Sequence, residues 1–202
     1  MKIEIVIIDD DLKLKEDPLV WSLMDKYGED NIKFINNSQE GIDYVLNNLG
    51  KNIIIILDYE FSVNEKKGDQ VFDEITNITK LVPIIFFTGI SKIENETYRD
   101  LINNHAFGIV NKMATSEELL KIVFKAELFY KNSLDNAIED WIIEKPEDKD
   151  KPFFFTSNGI SLSLNEILFE IRNQTELGKS FARKLNELTI ELLLNNKERL
   201  ND

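Results

Sequence analysis

Five short apolar runs, separated by stretches with helical spacing, leave this chain few folds to choose from. They are residues 3–8, 32–35, 52–57, 82–88 and 107–110. The third, Asn52-Ile53-Ile54-Ile55-Ile56-Leu57, shows no polar alternation, which marks a strand buried on both faces. The intervening stretches carry helix signals. Asp17-Pro18 supplies an N-cap and a first-turn proline ahead of Leu19, Leu23 and Met24, and Gly28 stops that helix. A second helix is expected from Gln39 to Leu49, ended by Gly50. A third carries Val71, Phe72, Ile75 and Ile78 at helical spacing. A fourth is expected over Glu94 to Asn104, and a long one opens at Ser116. Strand and helix in strict alternation, joined by short connections, predict an α/β fold with a parallel sheet between helices.

In a parallel sheet the strands' C-terminal ends share one edge, where open α/β folds place their sites. The first run ends in Asp9-Asp10-Asp11, the third in Asp58, the fourth in Thr88-Gly89 and the fifth near Lys112. Asp58 alone reads as a strand end or a cap. Four ends carrying acid, acid, hydroxyl and amine form a constellation. Three carboxylates brought together raise one another's pKa unless a cation is present. Mg²⁺ suits such a set, because it takes one or two carboxylates and keeps room for waters and phosphate oxygens. Lys112 can pair with a carboxylate and later with a phosphate, and Thr88 beside the small Gly89 leaves space for a phosphoryl oxygen. These are the parts of a phosphoryl-transfer site built on a nucleophilic carboxylate.

In these pieces, residues 1 to 131 resemble the receiver domain of two-component response regulators, the CheY-like family. The matching residues are Ile-Ile-Asp9-Asp10-Asp11, Leu57-Asp58, Gly68 opening the third helix, Phe87-Thr88-Gly89 and Gly108-Ile-Val-Asn-Lys112. The resemblance implies a doubly wound five-stranded sheet of order 2-1-3-4-5. It makes Asp58 the residue phosphorylated by a histidine kinase or a histidine phosphotransfer protein. Asp9, Asp10 and Asp58 become the Mg²⁺ site, with Asp10 a direct ligand and the backbone carbonyl of Glu60 another. Thr88 contacts the phosphoryl group and Lys112 pairs with it. The chain is then a phosphoacceptor and not a turnover enzyme. Alternatives are a non-phosphorylated pseudo-receiver scaffold and a phosphatase-like hydrolase, for which Glu60 is a poor second acid. Two departures stand out. Met113 follows the lysine where the family has a cis proline, and a non-proline cis bond costs ~3 kcal/mol, so a trans loop is expected. Ile109 occupies the usual aromatic switch position.

The helix from Ser116 either runs on to Ile143, about 40 Å, or breaks near Asn132-Ser133 into two. Glu144 to Pro152 (EKPEDKDKP) is almost wholly charged and reads as an exposed linker. The expected division is a receiver at 1–131, a helical connector and linker at 132–152, and an output module at 153–202. In the last, Phe153-Phe154-Phe155 and Ile160-Ser161-Leu162 flank Asn158-Gly159 as a hairpin. Helices follow over Leu164–Ile171 and Glu176–Leu194, with a fraying tail. The phenylalanines are expected in a core or an interface.

Charge narrows the partners. The net charge is −13, and residues 1–143 hold 26 acids against 15 bases. The C-terminal module has seven acids and six bases with no basic stripe, which speaks against a DNA-binding transcriptional regulator. A protein partner, or a second copy of the chain, fits residues 153–202 better. Leu177-Gly178-Lys179-Ser180 lacks the first glycine of a phosphate-binding loop and is set aside. His105, the only histidine, sits at an expected helix end and takes no metal role. Absence of cysteine excludes disulfides, no apolar stretch reaches membrane-spanning length, and no cleavage signal follows Met1. The expected location is the cytoplasm.

Overall fold

A computed structural model describes residues 2–89, 106–131, 134–155 and 159–196. The helix expected at Glu94–Asn104, His105 and the tail beyond Asn196 lie outside them. The chain divides into two compact units, residues 1–131 and 132–202.

In the first unit the strands are β1 (Ile3–Ile8), β2 (Ile32–Ile35), β3 (Asn52–Leu57), β4 (Ile84–Thr88) and β5 (Gly108–Asn111). They form one parallel sheet of order β2-β1-β3-β4-β5, the order implied by the receiver resemblance. The helices are α1 (Pro18–Tyr27), α2 (Ser38–Leu46), α3 (Gly68–Ile78) and α4 (Ser116–Lys131). Side chains alternate across the strands and feed two cores. Ile5, Ile7, Ile54, Ile56, Ile85 and Phe87 pack with Leu19 and Leu23 of α1 and Leu119 and Val123 of α4. Val6, Ile8, Ile53, Ile55, Leu57 and Phe86 pack with Ile42 of α2 and Val71, Phe72 and Ile75 of α3. This two-sided burial explains why the third run shows no alternation, since both faces are covered.

The caps sit where the composition puts them. Asp17 accepts the Leu19 amide ahead of Pro18, and Asn37 accepts the Glu40 amide at the start of α2. The Tyr130 hydroxyl, near the end of α4, donates to the buried Ile53 carbonyl at 2.6 Å and ties this helix to the central strand.

The second unit consists of α5 (Leu134–Glu144), an antiparallel hairpin of β6 (Pro152–Phe155) and β7 (Ser161–Ser163), α6 (Leu164–Arg172) and α7 (Glu176–Asn196). Its core joins Ile138, Leu162, Leu164, Ile167, Ile171 and Phe181. The helical pattern from Ser116 is thus two helices that belong to different units. The stretch 132–152, expected as connector and linker, lies within the second unit. Ile138 is buried in its core, and the Arg172 guanidinium reaches Asp135 at 3.2 Å and Glu139 at 2.9 Å. The charged segment keeps its side chains in solvent, but its backbone is held. The Asn165 amide donates to the Lys149 carbonyl and its side chain to Asp150. Pro152, read as the linker's end, opens β6. Of the three phenylalanines, Phe154 packs edge-on against Phe181, while Phe153 and Phe155 are exposed.

Candidate functional site

The residues singled out at the strand ends meet at the C-terminal edge of the sheet. Asp9 and Asp58 directly follow β1 and β3, which are paired up to Ile8 and Leu57, so the two carboxylates leave adjacent strands at one level. Backbone bonds fix both. The Asp9 amide donates to the Ile35 carbonyl and the Asp58 amide to the Ile8 carbonyl. Both side chains are buried, at 1% and 5% exposure. Carboxylate oxygens of Asp9, Asp10 and Asp58 all lie within 4.8 Å of one another.

Lys112 arrives from β5, its amide donating to the Thr88 carbonyl at 2.9 Å. Its ammonium sits 2.6 Å from Asp9 Oδ2 and 3.1 Å from Asp58 Oδ2. Thr88 ends β4 and is 1% exposed, so the hydroxyl expected to meet a phosphoryl group belongs to a residue held within the sheet. Glu60 has an exposed side chain, and its backbone amide donates to Asp58. No cis peptide occurs among the described residues, in line with the trans geometry expected at Lys112–Met113. Ile109 is half-buried against the core that carries α2 and α3.

Gly68 shows why α3 begins where it does. A Cβ there would run into the carbonyl oxygen of Asp58 and the Cα of Tyr59, so only glycine lets the helix start so close to Asp58.

Electrostatics confirm that the acids are crowded. Burial pushes the Asp58 carboxyl up to about 6, the nearby Asp9 charge pushes in the same direction, and Lys112 offsets only part of this. Asp9 is raised as well, chiefly by burial against the opposing pull of Lys112 and the Asp11 amide. Burial draws Lys112 down, but its bonds to Asp9 and Asp58 outweigh that and leave it raised. Three carboxylates against one ammonium form an under-neutralised, all-oxygen donor set. That is the chemistry a hard divalent cation such as Mg²⁺ satisfies, so the residues fit the ion.

Sequence reasoning missed the clamp on the loop between β3 and α3. The Ser62 amide donates to Asp10 Oδ2 at 2.8 Å and ties the loop to that acid. Glu65 accepts from the Ser38 hydroxyl, the Ser38 amide and the Asn37 side chain, which pins the loop to the start of α2. Those bonds, the Ser38 hydroxyl first, also lower the Glu65 carboxyl. No periodicity could reveal them, since Glu65 and Ser38 lie 27 residues apart. The one available signal was the polar length of the loop itself.

No family model and no curated protein matches the chain. Solved structures do. The receiver domain of a LuxO repressor protein from Vibrio parahaemolyticus matches at TM-score 0.57 and 17% identity, over 69% of this chain and 98% of that one. A CheY-like receiver domain from Methanospirillum hungatei matches at 0.53 and 20%, over 66% and 99%. The N-terminal domain of a response regulator/sensory box/GGDEF protein from Carboxydothermus hydrogenoformans matches at 0.52 and 23%, over 63% and 96%. These likenesses, with the sheet order, show that the chain carries a receiver (CheY-like) fold. They do not identify the C-terminal unit.

Proposed function

We propose that the chain is a two-component response regulator that accepts a phosphoryl group on Asp58. The observation that carries this reading is the pair of buried acids Asp9 and Asp58 bridged by Lys112, with Asp10 within 4.8 Å of both, at the carboxyl edge of a receiver-fold sheet. In the proposed step an Asp58 carboxylate oxygen attacks the phosphorus of a phosphohistidine on a histidine kinase or phosphotransfer protein. The P–N bond breaks, its electron pair goes to the histidine nitrogen, which takes a proton from solvent, and an acyl phosphate forms on Asp58. Asp9 and Asp10, with Asp58 and the Glu60 carbonyl, would hold Mg²⁺, which when bound supplies positive charge against the transferring group. Lys112 shifts its ammonium from the Asp58 carboxylate to the new phosphoryl oxygens, and Thr88 offers them its hydroxyl. The protein turns over no substrate of its own beyond loading and losing this group.

For the output, protein contacts fit the second unit better than DNA. Residues 132–202 hold 14 acids against nine bases, and Arg172, the most buried cation among the unit's described residues, is taken up by Asp135 and Glu139. That excess of acid disfavours a polyanion as partner. No described helix is long and apolar enough to cross a membrane. A cytoplasmic setting, where phosphohistidine donors reside, accords with this reading.

The test is incubation with a small phosphodonor and Mg²⁺, read by intact mass. Wild type should gain one phosphoryl group that EDTA prevents, and Asp58→Ala should gain none. An adduct that survives Asp58→Ala, or no adduct on wild type, overturns the assignment.

A further inference from the structure

The second unit carries two features that the phosphoacceptor reading does not use. The first is an apolar groove of about 490 Å³, walled by Ile138 and Trp141 of α5, Phe153 of β6, and Phe181 and Leu185 of α7. The second is the far half of α7. The seam Phe181–Leu185 runs on as Leu188 and Leu192, at the four-three-four spacing of a coiled coil. Phe181 is buried in the unit's core and Leu185 packs against it, whereas Leu188 and Leu192 are 50% and 49% exposed. One half of a continuous apolar seam borders an open groove, and the other half is uncovered.

We propose that two copies of the chain associate through antiparallel pairing of their α7 helices, each copy's Leu188 and Leu192 entering the other copy's groove. The register follows from the seam. Phe181 faces the other copy's Leu192, and Leu185 faces its Leu188. The same register sets the flanking charges. Lys184 and Glu191 lie one heptad apart on one shoulder of the seam and are both exposed. Antiparallel pairing places Lys184 against the other copy's Glu191, twice by symmetry. On the opposite shoulder Ala182 meets Thr189, which introduces no repulsion. Parallel pairing would set Lys184 against Thr189 and form no such bond. The charge also divides by halves: Lys179, Arg183 and Lys184 outnumber Glu176 in the first half, and the second half carries Glu187 and Glu191. One groove and one seam end per copy make a self-complementary patch, which closes as a two-fold dimer.

The test uses the full chain in sedimentation equilibrium. Wild type should show a concentration-dependent rise from 23.5 kDa to twice that mass. Leu188→Glu with Leu192→Glu should stay at the monomer mass with unchanged helical circular dichroism, since both positions are exposed. Lys184→Glu alone and Glu191→Lys alone should each weaken association about tenfold, by setting like charges together. Lys184→Glu combined with Glu191→Lys should restore it. A wild type that stays monomeric at its solubility limit overturns the proposal. So does a dimer indifferent to the leucine substitutions, as an interface in the first unit would give. Failure of the charge exchange to restore association overturns the antiparallel register.

Discussion

Asp58 is held under opposing demands. Burial and the Asp9 charge disfavour its ionised form, and the carboxylate is nonetheless the form that the proposed attack on phosphorus requires. Its folded pKa of about 6 stands above the ordinary 3.8. The folded protein therefore binds this proton more tightly than the unfolded chain, so ionising Asp58 destabilises the fold as pH rises between about 4 and 6. In EDTA, Asp58→Asn should match wild type below pH 4 and become more stable above pH 6, by at most about 3 kcal/mol. Urea unfolding across that range checks it, and Mg²⁺ should narrow the gap by stabilising wild type alone. Lys112→Ala removes the ammonium that bridges Asp9 and Asp58, and should slow phosphoryl uptake roughly 10²-fold while leaving the sheet folded. Lys112 and the acids were legible because each ends or follows an apolar run. Their direction toward one edge follows from the parallel order of the strands.

At the scale of elements, what escaped the sequence are contacts between segments far apart in the chain. The loop from Tyr59 to Lys67 shows no pattern, yet Glu65 fastens it to Ser38 and Ser62 fastens it to Asp10. Glu65→Ala should release it, with faster hydrogen exchange at the Ser62 amide and roughly tenfold weaker Mg²⁺ binding, read by titration calorimetry. Gly178 escaped the sequence at shorter range. Its motif suggested a broken phosphate loop, but the structure gives it a packing role: a Cβ there would meet the Glu170 carbonyl where α7 crosses the end of α6. Gly178→Ala should destabilise the second unit by about 1–3 kcal/mol. Phosphorylation of Asp58 should be unchanged, which circular dichroism melts and intact mass can read in parallel. The charged stretch before Pro152 misled for a related reason. Composition shows that its side chains stay in water and is silent about a backbone held by Asn165.

At the scale of the whole molecule, residues 1–131 contain both faces of the sheet, the Tyr130–Ile53 bond and every acid of the site. A fragment ending at Lys131 should fold and take up phosphate at the full chain's rate, measured by intact mass over time. Fold class and the order of the strands were readable from alternation and strand-end residues. The boundary between the two units was not, because the helical spacing allowed one helix as readily as two while α4 and α5 pack into different cores. That boundary bears on how such chains can be recombined. The helix beginning at Leu134 lends Ile138, Asp135 and Glu139 to the second body. A graft joined at residue 153, the apparent start of the module, would leave behind one wall of its interior and both carboxylates facing Arg172. A graft joined between Lys131 and Asn132 carries its interior along whole, so that junction is where one first unit could be exchanged for another with both products still able to fold.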